Sequence, residues 1–216
     1  MNIFTFTKLC RTLLLAGVVA VSAVCWVGCG GDDGGNDNPA NNSGNNNNGN
    51  NNNGGGSVPI EKWMKENLNV PTDDGSWCYD DDPANCDKYG RLYTWEAAKA
   101  ACQLAGKRLP TNAEWDALVT AAGGKDVAGT KLKSKSGWKS YSGISSTDEY
   151  GFSALPGGYR YSNGDFYSAG ESGWWWTDTE GDGGYAYRRN ILYNHDIVYK
   201  GNEDKSNAFS VRCVKD

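Results

Sequence analysis

A tract of asparagine and glycine divides the chain and limits which part of it can fold. Residues 30–57 are nearly all Asn, Gly and Asp, with almost no apolar side chain. Such a tract cannot bury enough apolar surface to offset the entropy lost on ordering, so we predict a disordered tether. As a flexible coil it would reach roughly 30 Å. The tether leaves residues 58–216 as the part of the chain that forms a single folded domain.

The residues before the tether predict export. Lys8 and Arg11 supply a positive start, and residues 12–28 are almost wholly apolar. This pattern is typical of a secretory signal peptide, and the apolar run falls just short of the roughly 20 residues that a permanent membrane span requires. We therefore expect a signal peptide over residues 1–28.

The end of the apolar run indicates a lipid anchor. A small residue, Gly28, precedes Cys29, and this pair resembles a lipobox, in which the cysteine thiol receives a diacylglyceryl group. We expect Cys29 to be lipidated, to contact the membrane through its lipid, and to hold the protein at the outer membrane or cell surface. Two alternatives remain open, namely cleavage after Ala23 to release a soluble protein, and an uncleaved anchor.

Charge and histidine content argue against two classes of function. The formal net charge is -5 at pH 7, so the chain lacks the concentrated basic surface that nucleic acid binding requires. The single histidine, His195, cannot build a multi-histidine zinc site, and we interpret it as an exposed loop residue.

Four cysteines in the predicted domain indicate disulfide bonds. An even number in an exported chain predicts two disulfides, with three possible connectivities. Cys78 and Cys86 flank a turn-rich loop and can close it, which leaves Cys102 to pair with Cys213. Metal binding by these thiols is the rival interpretation, but no CxxC pair is present and an oxidising compartment disfavours it.

Two helices are marked by their patterns. Apolar residues recur at helical spacing from Trp95 to Cys102, and Gly106 ends this run. Residues 111–114, Thr-Asn-Ala-Glu, form a capping box that predicts the start of a second helix, which ends before Gly123.

After residue 125, short apolar runs alternate with turn residues, which is typical of strands. Helices followed by a loop-rich antiparallel sheet make an α+β domain. The predicted strands are residues 174–177, 185–187, 191–193, 197–199 and 209–214.

Several longer motifs resemble one family. They include Trp-Met-Lys-Glu-Asn-Leu-Asn at 63–69, Tyr-Gly-Arg-Leu-Tyr-Thr-Trp-Glu-Ala-Ala at 89–98, and Gly-Phe-Ser-Ala-Leu-Pro-Gly-Gly-Tyr-Arg at 151–160. Together with the closing segment 209–214, they resemble the Fibrobacter succinogenes major paralogous domain, a family of exported bacterial domains. The resemblance covers nearly all of residues 60–216 and implies export, but it implies no particular chemistry.

A more distant likeness concerns the fold. Residues 108–115 and 211–214 are similar to segments of formylglycine-generating-enzyme-type domains, which implies a C-type-lectin-like domain with two helices and a twisted antiparallel sheet. In that fold a cysteine of the first helix commonly bridges to the last strand, in agreement with a Cys102–Cys213 pair. The generating enzymes act through reactive cysteines, so we do not expect their activity in a chain whose Cys213 is held in a disulfide.

The density of aromatic residues predicts a non-catalytic recognition domain that binds glycan or protein through residues 159–207. Strand alternation cannot bury three successive tryptophans on one face, so at least one should point away from the main core. Flat amphipathic rings stack on sugars and anchor protein interfaces. The rival interpretation is that these rings only fill a small core. The expected ligand-binding residues are Trp174, Trp175, Trp176, Tyr185, Tyr187, Tyr193 and Tyr199.

One carboxylate series permits a calcium site. Asp178, Glu180 and Asp182 are spaced as at the start of an EF-hand loop, although the twelfth position is Arg189 rather than the usual Glu. A polar turn is the alternative, and we expect no other cofactor. Two other functions remain open, namely an enzyme that acts on extracellular polysaccharide and a structural surface antigen.

Overall fold

The computed structural model describes residues 60–216. The predictions for the signal peptide, the lipidated Cys29 and the tether lie outside the described residues. Within residues 60–216, no helix combines the length and the apolar character that crossing a membrane requires.

Both predicted helices are confirmed. The Thr94 hydroxyl accepts from the backbone N–H of Ala97 at the start of the first, and Thr111 and Glu114 form the capping box that starts the second. Two further helices were not predicted. The four helices are α1 (Pro83–Tyr89), α2 (Trp95–Leu104), α3 (Asn112–Ala121) and α4 (Ala128–Leu132).

Helix α1 begins inside the stretch that the sequence analysis treated as a loop. A short 3-10 turn, Tyr79–Asp81, is followed by Asp82, whose side chain accepts from the backbone N–H of Ala84. Pro83 occupies the first turn, where its missing N–H costs nothing. An N-cap followed by proline was therefore a helix signal at this position, and it was missed.

Most strands form one curled sheet of mixed direction. Its strands are β3 (Gly157–Arg160), β4 (Phe166–Ala169), β5 (Ser172–Glu180), β6 (Tyr185–Leu192) and β7 (Val198–Asp204), and a separate pair is formed by β1 (Ser76–Trp77) and β2 (Leu92–Tyr93). The order in the sheet is β4-β3-β5-β6-β7, and β3 runs parallel to β5 while the other neighbours are antiparallel. The α+β class is thus confirmed, but the expectation of an antiparallel sheet is wrong.

Two strand predictions need correction. Residues 185–187 and 191–193 were expected as separate strands, but one continuous strand, β6, contains 185–192. Residues 209–214 form no regular strand. This closing segment instead makes isolated bridges to Tyr93, Trp175, Arg108 and Trp63 in turn, because it passes several different elements within six residues.

Apolar side chains collect into two cores. The α3 core contains Trp115, Phe152 and Trp175, and the α2 core contains Trp95, Trp176 and Phe209. Successive residues of β5 enter different cores, because strand side chains alternate between the two faces of a sheet.

Both predicted disulfides are present. Cys78 bonds to Cys86, and Cys102 of α2 bonds to Cys213 of the closing segment. The second bond is fully buried in the α2 core. All four cysteines are therefore bonded in pairs. None of them has a free thiol that could bind a metal, and Cys213 has no free thiol for catalysis.

Candidate functional site

Two of the tryptophans predicted to bind ligand belong to the cores. Trp175 and Trp176 have no exposed surface. The indole N–H of Trp175 donates to Asn67 Oδ1 at 3.0 Å, and that of Trp176 donates to the carbonyl oxygen of Tyr93 at 2.8 Å. Their placement among ligand-binding residues is wrong, because rings buried on both sides of the sheet cannot reach a ligand.

The neighbouring Trp174 is only partly buried and lies in a surface cluster of aromatic rings. We call this cluster the aromatic platform, and it consists of Tyr159, Tyr161, Tyr167 and Trp174. Tyr159 is central, since its ring centre lies 4.9 Å from that of Trp174, 5.1 Å from that of Tyr161 and 5.6 Å from that of Tyr167. Tyr161 is 40% exposed and Tyr167 is 38% exposed, so the outer rings face solvent.

The β3–β4 hairpin builds most of the platform. Its register places Tyr159 opposite Tyr167, and Tyr161 lies two residues beyond Tyr159 on the same face. The turn closes with a hydrogen bond from the Tyr161 N–H to the Asp165 carbonyl oxygen at 2.9 Å. A Cβ at Gly158 would lie 2.4 Å from the carbonyl oxygen of Tyr167, so the two strands can approach only at a glycine.

The parallel contact between β3 and β5 adds the tryptophan. Gly158 pairs with Gly173, which brings the next residue, Trp174, beside Tyr159. Below these two rings lies Phe209 of the α2 core, stacked on Trp174 with ring centres 5.3 Å apart. The platform is therefore fixed from beneath by packed side chains.

A charged pair borders the platform. The Arg188 guanidinium carbon lies 4.4 Å from the Trp174 ring centre, within cation–π range, and Arg188 pairs with Glu203 at 3.5 Å. Arg188 also donates to the side-chain oxygen of Asn190. The Arg188 guanidinium lies directly over Gly201. A Cβ at position 201 would lie 3.0 Å from the guanidinium carbon, so a glycine leaves room for it there.

Burial changes the ionisation of this region. It raises the pKa of Tyr159 to about 12, with the neighbouring Tyr161 adding to the rise, so Tyr159 is a neutral phenol at physiological pH. Burial lowers the pKa of Arg188, and Glu203 opposes that change. An arginine remains charged at neutral pH even so. The platform thus offers neutral rings beside one ion pair and the exposed Asp165 carboxylate, which accepts a hydrogen bond from a platform tyrosine at 3.2 Å.

The other predicted aromatic residues lie elsewhere. By strand alternation, Tyr185 and Tyr187 point to the face of β6 opposite Arg188. Tyr199 contacts His195, an exposed loop residue, with ring centres 6.1 Å apart. Tyr193 follows β6 and contacts Tyr141.

Three platform residues were not named individually by the sequence analysis. The signal existed, because Asn163-Gly164 between two aromatic stretches indicates a hairpin. A two-residue turn at Asn163-Gly164 would pair Tyr159 with Ser168, whereas the observed loop has three residues, 162–164, and pairs Tyr159 with Tyr167.

The proposed calcium ligands do not form a loop. Asp178 and Glu180 lie on strand β5, Asp182 lies in the turn after it, and Glu180 is paired with Lys205. Burial raises the pKa of Asp178, which disfavours the charged form that binds calcium. Among the described residues, no group of three or more His, Cys, Asp or Glu side chains is arranged to hold a metal ion. The geometry gives the calcium prediction no support.

Comparisons with known proteins give one match. A family model described as the Fibrobacter succinogenes major domain matches residues 55–215. Neither the curated proteins nor the solved structures contain a match to this chain. Because the family model covers well over half of the sequence, as the ordered motifs from Trp63 to the closing segment indicated, the chain belongs to the Fibrobacter succinogenes major domain family.

Proposed function

We propose that this chain is a lipid-anchored cell-surface protein whose domain is a non-catalytic, C-type-lectin-like recognition module that binds glycan through the aromatic platform. The observation that carries the proposal is the cluster of four rings, two of them well exposed, beside the Arg188–Glu203 pair. Such rings stack on the apolar faces of sugars, and the charged pair supplies hydrogen bonds to hydroxyl groups.

The size of the platform favours a glycan over a protein partner. An aromatic side chain presents roughly 150–250 Å² in total, so four rings at no more than about 40% exposure offer roughly 300 Å². A stable protein interface buries roughly 800 Å² on each partner. The platform alone is too small for that, but it matches the area of a few sugar units.

Two features support the surface location and the fold. Two disulfides suit an oxidising compartment outside the cytoplasm. The bond from α2 to the closing segment matches the pairing that the C-type-lectin-like resemblance implies. Lipidation is tested by feeding cells labelled palmitate, where Cys29→Ala should abolish incorporation. Continued incorporation would place the anchor elsewhere.

Binding is tested with the full chain, purified with its disulfides formed. The ligands are insoluble cellulose, xylan, mannan and chitin, together with a glycan array. We expect saturable binding by the wild type and a loss in Tyr161→Ala/Tyr167→Ala, because each stacked ring is worth roughly two- to twelvefold in affinity. Tyr185→Ala is the matched control, since Tyr185 is 44% exposed but lies off the platform.

The outcomes separate the competing functions. Binding that the platform variant loses and the control keeps supports the proposal. Release of soluble sugar from any of the four polymers would replace it with a polysaccharide-cleaving enzyme. Binding lost equally in the control, or no binding to any glycan, would overturn the platform as a glycan site and favour a structural surface role.

A further inference from the structure

A second pair of aromatic rings lies next to the platform. The ring centres of Tyr141 and Tyr193 are 5.8 Å apart in an edge-to-face contact, and Tyr141 is 52% exposed. Tyr193 is held by its backbone N–H, which donates to the carbonyl oxygen of Glu171 at 2.8 Å. The adjoining loop is fixed by Lys133, whose ammonium donates to the carbonyl oxygen of His195 at 2.7 Å. This pair therefore has a defined position.

A depression made of two cavities, which share the lining residue Tyr193, lies between the two aromatic groups. One cavity of about 310 Å³ is lined by Tyr159 and Trp174 of the platform and also by Tyr193. A neighbouring hollow of about 180 Å³ shares Tyr193 and extends to Tyr141. Between the rings, the first cavity presents the neutral hydrogen-bonding side chains of Ser168 and Asn194, whereas the Ser172 hydroxyl is buried and accepts from the Trp174 indole N–H at 2.9 Å.

The charged side chains along this depression largely cancel. Lys139 pairs with Glu171 at 2.6 Å, and Arg188 pairs with Glu203 at 3.5 Å. Lys135, at the end of the smaller hollow, adds one exposed positive charge. An exposed single charge contributes little in physiological salt. The surface therefore has little electrostatic reason to select an acidic ligand.

We infer that the platform and the Tyr141–Tyr193 pair are two subsites of one track, which binds an internal stretch of an uncharged polysaccharide chain rather than a single terminal sugar. Rings at both ends stack on separate sugar units, and the serine and asparagine side chains between them bind hydroxyl groups. This inference rests on the proposed glycan-binding function and specifies its ligand as a neutral linear chain.

The test measures how affinity depends on ligand length. Isothermal titration of the full chain uses disaccharides and hexasaccharides of β-linked glucose, xylose, mannose and N-acetylglucosamine, with polygalacturonate as the acidic comparison. For at least one neutral series, we expect the wild type to bind the hexasaccharide at least about tenfold more tightly than the disaccharide. Tyr141→Ala should remove that difference and leave the disaccharide affinity within about twofold, while Tyr185→Ala should preserve both affinities.

Each result has a distinct meaning. Equal affinity for short and long ligands, an unaffected hexasaccharide affinity in Tyr141→Ala, or preference for polygalacturonate would overturn the track. If the platform variant Tyr161→Ala/Tyr167→Ala still loses binding in those cases, the proposed function stands without it. If the wild type binds none of these sugars, the track fails, and the glycan array then decides whether the glycan-binding function fails with it.

Discussion

The two disulfides differ greatly in the length of chain that they close, and so they should differ in their contribution to stability. The Cys102–Cys213 bond joins residues 111 apart, and the Cys78–Cys86 bond joins residues 8 apart. In the chain-entropy model, these separations correspond to about 4.8 and 2.5 kcal/mol at 25 °C. Cys102 and Cys213 belong to the α2 core, whereas Cys78 and Cys86 belong to neither core, so a difference in packing energy acts in the same direction as the difference in loop length.

The measurement is equilibrium unfolding in denaturant, followed by the fluorescence of the buried tryptophans. Cys102→Ala/Cys213→Ala should lower the free energy of unfolding by about 2.3 kcal/mol more than Cys78→Ala/Cys86→Ala does. Equal losses, or a larger loss from opening the short loop, would refute the entropic argument. Such a result would show instead that local contacts around α1 dominate the contribution of its disulfide.

Two pH-dependent predictions follow from buried or paired charges. Glu114 accepts hydrogen bonds from Arg108, from Lys62 at 2.6 Å and from a backbone N–H. These contacts, chiefly the one with Arg108, hold the pKa of the Glu114 carboxyl well below its ordinary value. The stabilisation that they give the fold is therefore complete above the unfolded pKa near 4.5 and is lost as the pH falls. Thermal unfolding should therefore show Glu114→Gln less stable than wild type by about 1–3 kcal/mol at pH 7, with the gap closing below about pH 5, and a constant gap would contradict this. Burial lowers the pKa of Lys133 to about 8. Between about pH 8 and 10.5 the unfolded chain therefore binds more protons than the folded chain does. The stability of the wild type should thus rise relative to that of Lys133→Met as the pH increases across this window. A gap that stays flat or moves the other way would show that Lys133 is not desolvated in the fold.

Features governed by neighbouring residues could be predicted from the sequence. The capping box at Thr111 and Glu114 is a contact across three residues, and it forms as expected. The short Cys78–Cys86 loop followed from spacing, and elimination then gave the longer pair. The sheet direction could not be obtained in this way, because the parallel Gly158–Gly173 pairing joins strands whose connection runs through β4.

The tryptophan run shows where local reasoning stops. Alternation correctly predicts that successive residues of β5 face opposite sides. It cannot show that both sides are covered, so the sequence predicts Trp175 and Trp176 as ligand contacts although each fills a core. Placing Arg188 beside Trp174 required the β5–β6 register, which shifts after Trp176. The Asn163-Gly164 signal locates the β3–β4 hairpin, but the Tyr159–Tyr167 pair depends on a three-residue loop, and a two-residue turn would have paired Tyr159 with Ser168.

The closing segment also determines when the domain can fold. Phe209 enters the α2 core and Val214 the α3 core, and Val214 bridges Trp63, roughly 150 residues earlier. A nascent chain that has emerged only as far as Asn207 can form the β6–β7 hairpin, but both cores still lack their last members. Delivery from the N-terminus through a narrow channel would thus keep the chain unfolded until almost the whole domain had passed. Because the cores are completed only by the last residues of the domain, a chain that passes through such a channel N-terminus first can still reach the native structure afterwards.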